Sequence, residues 1–213
     1  MTSLTRRSLL LLGLAGVAGC DSTDRGEEPA MTVTSEPTRG RVLLAYFSRP
    51  GENYYNGGRR TLKVGNTQVA ADMIQQAIGC DVYRITAADP YPDSYDATVA
   101  RNVREQDNDA RPKIVDPPAS LAGYDTVLLG SPIWNVRPPM IMSTFTEAYD
   151  FTGTTVLPLV TYAVSGLGRT VEVYAASCRG AKAGEGLAVR GEEAAGSRPA
   201  VEAWLRRAGL LRG

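Results

Sequence analysis

The folded part of the chain reads as short apolar runs separated by segments with one apolar face. Arg41-Val-Leu-Leu-Ala-Tyr-Phe47 is apolar at consecutive positions and is closed by Ser48-Arg49-Pro50-Gly51, which predicts a strand buried on both faces. Val69, Met73, Ile74, Ala77 and Ile78 fall on one helical face, and Gly79 supplies the stop. Asp81-Val-Tyr-Arg-Ile85 predicts the second strand. After the turn-rich Asp89-Pro90-Tyr91-Pro92, Tyr95 to Glu105 has the pattern of a polar surface helix. Asp125-Thr-Val-Leu-Leu129 predicts a third buried strand, and Pro139 to Tyr149 has helical character. Thr155-Val-Leu-Pro-Leu-Val160 predicts a fourth strand. Pro158 within it points to an interruption or a sheet edge, because proline cannot donate to the ladder. Arg169 to Ala176 predicts a helix and Glu185 to Val189 a weak fifth strand. A last helix starts at Ser197, carries Pro199 in its first turn, and buries Val201, Trp204, Leu205 and Ala208.

Alternation of helices with strands that are apolar on both faces predicts an α/β fold, a doubly wound parallel sheet with helices on each side. In such a sheet ligands bind at the carboxyl ends of the strands, where strand order reverses. The loops to inspect are therefore those that follow the strands.

The N-terminal pattern is different. Thr5-Arg6-Arg7-Ser8 precedes an uncharged run from Leu9 to Cys20. A membrane span needs about 20 apolar residues, so the run is too short to cross. Its glycines and the basic pair before it fit a secretory signal better than a core helix. Val17-Ala18-Gly19-Cys20 resembles a bacterial lipobox, with Cys20 as the lipid-modified residue after cleavage. Arg6-Arg7 resembles a twin-arginine export signal, although a general secretory signal also carries basic residues. Residues 21–40 have few large apolar groups and read as a flexible tether. The expected layout is a signal peptide over 1–19, a lipidated Cys20 and tether over 20–40, and one domain over 41–213. This lipoprotein would be anchored to the outer face of the cytoplasmic membrane.

Composition narrows the chemistry. The 213 residues carry 23 Lys+Arg and 23 Asp+Glu, so no basic excess marks a nucleic-acid face. There is no histidine, which excludes Ser-His-Asp and Cys-His catalysis and zinc sites built on imidazole. Chemistry must come from other side chains or from a cofactor. With Cys20 acylated, Cys80 and Cys178 remain.

Three strand ends carry unusual residues. Ser48 to Asn53 continues to Gly65-Asn66-Thr67 at a helix N-terminus, where free N–H groups and the helix dipole suit a phosphate without a lysine. Asn66 or Thr67 could equally serve only as a cap. Gly130-Ser131-Pro132-Ile133-Trp134-Asn135 places an indole where it could stack on a planar ring or simply pack on the next helix. Ser165-Gly166-Leu167-Gly168 is a truncated dinucleotide fingerprint without its third glycine.

Together these residues carry a resemblance. Leu44-Ala-Tyr-Phe-Ser48, Gly65-Asn66-Thr67, Tyr91-Pro92-x-x-Tyr95, Ala110-Arg-Pro112, Gly130-x-Pro-Ile-Trp134, Tyr149-Asp-Phe151, Ser165-Gly-Leu-Gly168 and Trp204-Leu205 resemble the flavodoxin family, in its long-loop bacterial branch. The resemblance implies a five-stranded parallel sheet of order 2-1-3-4-5 that binds FMN. It implies that Ser48, Gly65, Asn66 and Thr67 hold the phosphate. Pro132, Ile133, Trp134 and Asn135 would flank the flavin, and Ser165, Gly166 and Gly168 would form the third loop. On this fold Cys80 and Cys178 lie near opposite sheet edges, too far apart to bridge, and are expected as free, mostly buried thiols.

The chain departs from that pattern in three places. Sixteen residues, Arg49 to Val64, interrupt the phosphate loop. Asn135 stands where a second aromatic often follows the tryptophan. Tyr162, Ala163 and Val164 replace the histidine and glycines of the third loop. Stacking is then expected from Trp134 with Tyr54, Tyr55 or Tyr162. Arg137, if it points at the ring, would favour the anionic reduced flavin, unless Glu52 folds over the site and cancels it. The expected function is a membrane-tethered electron carrier with a redox partner protein or a quinone and no nucleic-acid partner. The alternatives are an FMN-dependent quinone or nitro-compound reductase, with a second pocket under the Arg49–Val64 insertion, and a flavin-free binding module.

Overall fold

The computed structural model describes residues 40–212; the expected signal peptide, Cys20 and all but Gly40 of the expected tether lie outside the described residues. Strands β1 (Val42–Phe47), β2 (Gly51–Tyr55) and β3 (Gly58–Leu62) precede helix α1 (Asn66–Ile78). Strand β4 (Asp81–Ile85), helix α2 (Tyr95–Asp107), strand β5 (Thr126–Pro132) and helix α3 (Met140–Glu147) follow. Strand β6 (Thr155–Tyr162), helix α4 (Thr170–Ser177), strands β7 (Lys182–Ala183) and β8 (Leu187–Arg190), a 3₁₀ segment (Gly191–Gly196) and helix α5 (Arg198–Arg207) complete the chain.

The main sheet runs β4-β1-β5-β6, with β7 and β8 both paired to β6, and every pairing in it is parallel. This is the expected order 2-1-3-4-5, with the fifth position split between two short strands. Side chains on β1 alternate strictly between two cores, as the period-2 geometry of a strand requires. Val42, Leu44 and Tyr46 pack with α1 and α5 around Ile74, Trp204 and Leu205. Leu43, Ala45 and Phe47 pack with α3 and α4 around Ile141, Phe145 and Tyr174. Both faces are therefore covered, which is why the strand sequences are continuous apolar runs.

Pro158 is not in an interrupted or edge strand. β6 is continuous over eight residues and lies between β5 and the split pair. The break is in its neighbour: β7 pairs with Thr155 and Val156, β8 with Leu159 to Tyr162, and Leu157 and Pro158 face the gap between them. The proline's missing donor is accommodated by interrupting the adjacent strand.

The Arg49–Val64 insertion is an antiparallel hairpin, β2-β3, closed by Asn56-Gly57. Both turn residues have positive φ, 47° and 83°, the backbone of the two-residue turn that Asn-Gly favours. Cys80 and Cys178 are free, the first half-buried and the second buried. Burial pushes their thiols up to about 11 and about 12, so neither is a reactive thiolate at neutral pH. Among the described residues no helix is long and apolar enough to cross a membrane.

Candidate functional site

The carboxyl ends of β1, β5 and β6 open into a cavity of about 380 Å³, within the range of small-molecule sites. It has two walls. The first comes from the sheet ends: Ser48 and Arg49, Asn66 and Thr67, Pro132 to Asn135, and Thr161 to Ala163, with Gly191 and Glu192 beside them. The second comes from the hairpin and α2: Asn53, Tyr54, Tyr95, Thr98, Val99, Asn102 and Val103.

At the first wall α1 begins without a cap from its own side chains. Ser48, at the end of β1, does that work from across the loop: its Oγ accepts the Gln68 N–H at 3.0 Å. Gly65 makes the approach possible, because a Cβ there would collide with Ser48 Oγ and the Arg49 backbone. The N–H groups of Asn66 and Thr67 stand at the first positions of the helix, where no intrahelical acceptor exists. Dipole and free donors together make an anion seat. Thr67 is almost fully buried, and its hydroxyl is hydrogen-bonded to that of Thr161 at 2.7 Å. Its side chain thus ties β6 to the seat.

Arg49 is a residue the sequence reading missed. Only 8% of it is exposed. Nη1 donates to the carbonyls of Pro92 and Asp93 at 2.9 and 3.1 Å, and Nη2 donates to the carbonyl of Glu52. It makes no ion pair among the described residues, and burial lowers its pKa while Asp93 and Glu52 oppose the shift. Because a guanidinium stays protonated, one of the residues lining the cavity carries a buried cation, held against the carbonyls of Glu52, Pro92 and Asp93. The Glu52 carboxylate does not fold over the cavity: it accepts the Tyr95 N–H at 2.9 Å, at the start of α2.

Trp134 both lines the cavity and packs. Its ring stands edge-on to Phe47 at 5.6 Å and to Tyr91 at 5.1 Å. The turn that follows is pinned by α2: Gln106 donates to the Trp134 carbonyl at 3.1 Å and accepts from Asn135 Nδ2 at 2.8 Å. Arg137 does not line the cavity. The Asp109 carboxyl is held low chiefly by Arg111 and additionally by Arg137; the arginine that lines the cavity is Arg49.

Ser165, Gly166 and Gly168 are not among the lining residues. The third loop instead braces the second. Arg169 N–H donates to the Val136 carbonyl at 2.7 Å, and a Cβ on Gly168 would strike that carbonyl. Of the three candidate tyrosines, Tyr54 and Tyr162 line the cavity, whereas Tyr55 lies under Arg60. Glu192 accepts the Asn56 N–H at 2.9 Å, tying the hairpin turn to the 3₁₀ segment.

The flavodoxin family model matches residues 61–208, which includes the start of α1, the Trp134 loop and the third loop. The chain belongs to the flavodoxin family. The chain is similar to a protein from Bacteroides eggerthii named provisionally as a flavoprotein, at 28% identity and a TM-score of 0.61, covering 79% of this chain and 97% of that one. A similarly named protein from Bacteroides uniformis gives the same identity and TM-score, over 78% and 98%. A flavoprotein from Lactobacillus acidophilus, solved in complex with FMN, shares the fold at 17% identity and a TM-score of 0.55, over 78% and 98%. No curated protein matches the chain.

Proposed function

We propose that this flavodoxin binds FMN at the first wall and works as an electron carrier tethered outside the cytoplasmic membrane through Cys20. The observation that carries the reading is the anion seat. Ser48 caps α1 from outside, Gly65 leaves room for it, and the donors of Asn66 and Thr67 face a cavity of cofactor size. The FMN phosphate would sit there, with Arg49 as the buried counter-charge, and Trp134 would flank the ring. FMN supplies the redox chemistry; the protein supplies orientation and electrostatics. Membership of the family and the FMN-bound neighbour support the reading.

The test is a pair of titrations with FMN and riboflavin, which differ by the phosphate. Asn66→Ala is expected to weaken FMN by about 1–3 kcal/mol through a lost charge-assisted hydrogen bond and to leave riboflavin unchanged. Equal losses for both flavins would mean that Asn66 shapes the cavity without contacting the phosphate. A colourless protein that takes up no flavin would overturn the whole reading. Intact mass of the membrane-extracted protein is expected to show loss of residues 1–19 and an added lipid.

A further inference from the structure

The chain returns to the cavity after β8. That strand runs parallel to the end of β6, with Val189 opposite Thr161 and Arg190 opposite Tyr162, so it leaves the sheet at the carboxyl rim where the cavity opens. Gly191 and Glu192 follow at once and begin the 3₁₀ segment. Gly191 lets this segment lie against the start of α1: a Cβ there would stand 2.5 Å from Asn66 Nδ2 and 3.7 Å from the Tyr162 carbonyl oxygen. Glu192 is the next residue. Among the described residues that line the cavity, only Arg49 and Glu192 carry charge. Glu192 is half committed. Its Oε1 accepts the Asn56 N–H at 2.9 Å. Its Oε2 is buried and has no hydrogen-bond partner among the described residues. A buried acceptor left unmet is costly, and more so when it is charged.

Resting on the FMN reading, we propose that Glu192 Oε2 accepts a hydrogen bond from a hydroxyl of the ribityl chain, the polyol that joins the phosphate of FMN to its ring. The partner of a carboxylate must bring a donor. An ionised phosphate brings only acceptors, and two anions repel. In the FMN reading the phosphate lies at Asn66 and the ring at Trp134. The hydroxyls are the donors nearest the phosphate, and Gly191 against Asn66 puts Glu192 on that side. A hydroxyl on an ionised carboxylate forms one of the stronger hydrogen bonds. One carboxylate then serves two ends: Oε1 holds the hairpin turn and Oε2 holds the sugar-like chain. The segment after β8 thus joins the loops after β1 and β5 in holding the cofactor, and it selects for a flavin that carries a polyol.

The test compares three flavins on the full chain. FMN has the phosphate, riboflavin lacks it, and lumiflavin keeps the ring and its N–H but has a methyl group in place of the ribityl chain. The variant is Glu192→Gln. Its side-chain oxygen can still accept the Asn56 N–H, while an NH₂ group, a donor, replaces Oε2. Affinities are read from flavin fluorescence, and hydrogen exchange of the Asn56 amide reports on the hairpin turn. FMN and riboflavin are each expected to weaken about tenfold, the size of a lost charge-assisted hydrogen bond. Lumiflavin affinity and Asn56 exchange are expected to stay as in the wild type. An equal loss for lumiflavin would put Oε2 at the ring, and faster Asn56 exchange would make Glu192 an anchor of the hairpin only; either overturns the proposal. Tighter binding of FMN alone would overturn it too, since the carboxylate would then face the phosphate, and so would affinities that do not move. A wild-type chain that takes up none of the three flavins sinks the FMN reading itself, whereas each of the other outcomes leaves that reading standing.

Discussion

Val136 has φ at 60°, next to Asn135 at 50°. Asparagine tolerates this region, but a left-handed backbone costs a side chain with a Cβ roughly 1–2 kcal/mol, and a β-branched one is a true outlier. The side chain is 48% exposed, so packing does not repay the cost. The turn persists because its carbonyl accepts Arg169 N–H and Gln106 clamps the residues before it. Val136→Gly is expected to stabilise the fold by about 1 kcal/mol, the strain relieved exceeding the added chain entropy. Urea denaturation checks it, and a loss of stability would mean that the valine packs usefully. At this scale the sequence was a mixed guide. Trp134 and the Gly65-Asn66-Thr67 seat were legible because glycine, amide and indole each have few reasons to follow a strand or open a helix. Arg49 was not: inside Ser-Arg-Pro-Gly it reads as loop polarity, and only the carbonyls of Glu52, Pro92 and Asp93, brought together by the fold, make it a buried group.

Among the elements, the β2-β3 hairpin depends on contacts outside itself, since an isolated two-stranded hairpin is marginal in water. Arg49 holds it to the Pro92–Asp93 segment, Glu52 N–H donates to the Asp93 carbonyl at 2.8 Å, and Glu192 holds the turn. Arg49→Met leaves carbonyls that three donors had satisfied, at about 1–3 kcal/mol for each that stays buried. Hydrogen exchange is expected to show β2 and β3 losing protection while β5 and β6 keep theirs. Arg49→Lys is expected not to rescue it, because a compact ammonium cannot span the same carbonyls as a planar fork. Protection lost equally across the main sheet would show that Arg49 supports the whole fold. The hairpin escaped the sequence reading although Asn56-Gly57 is a strong turn signal. Its flanks, Gly-Glu-Asn-Tyr-Tyr and Gly-Arg-Arg-Thr-Leu, lack the apolar alternation of a strand packed on a core. β1 and β5 were legible for the opposite reason, being apolar on both faces. β7 has two residues, too few for any period to register.

For the molecule as a whole, the absence of histidine removes the side chain whose ordinary range falls between pH 5 and 8. Several aspartates sit below their usual values: Asp81 through hydrogen bonds from Tyr124 and Arg41, Asp96 through Arg59, and Asp109 through Arg111. A carboxyl depressed in the folded state contributes stability above the unfolded value of about 3.9 and loses it as pH falls through the native one. Each of these groups is solvent-exposed, so the individual effects are small. The urea midpoint is expected to stay level from pH 8 to 5 and to fall below about pH 4; a step near pH 6 would contradict this. The split strand opposite Pro158 matters at this scale too. An outer strand with a continuous row of unpaired backbone groups is a template on which a second copy can assemble. Here that outer row is broken into two residues and four, separated by Gly184-Glu185-Gly186. Neither piece is long enough to recruit a neighbouring chain, so the break that admits a proline also protects this side of the sheet from aggregation.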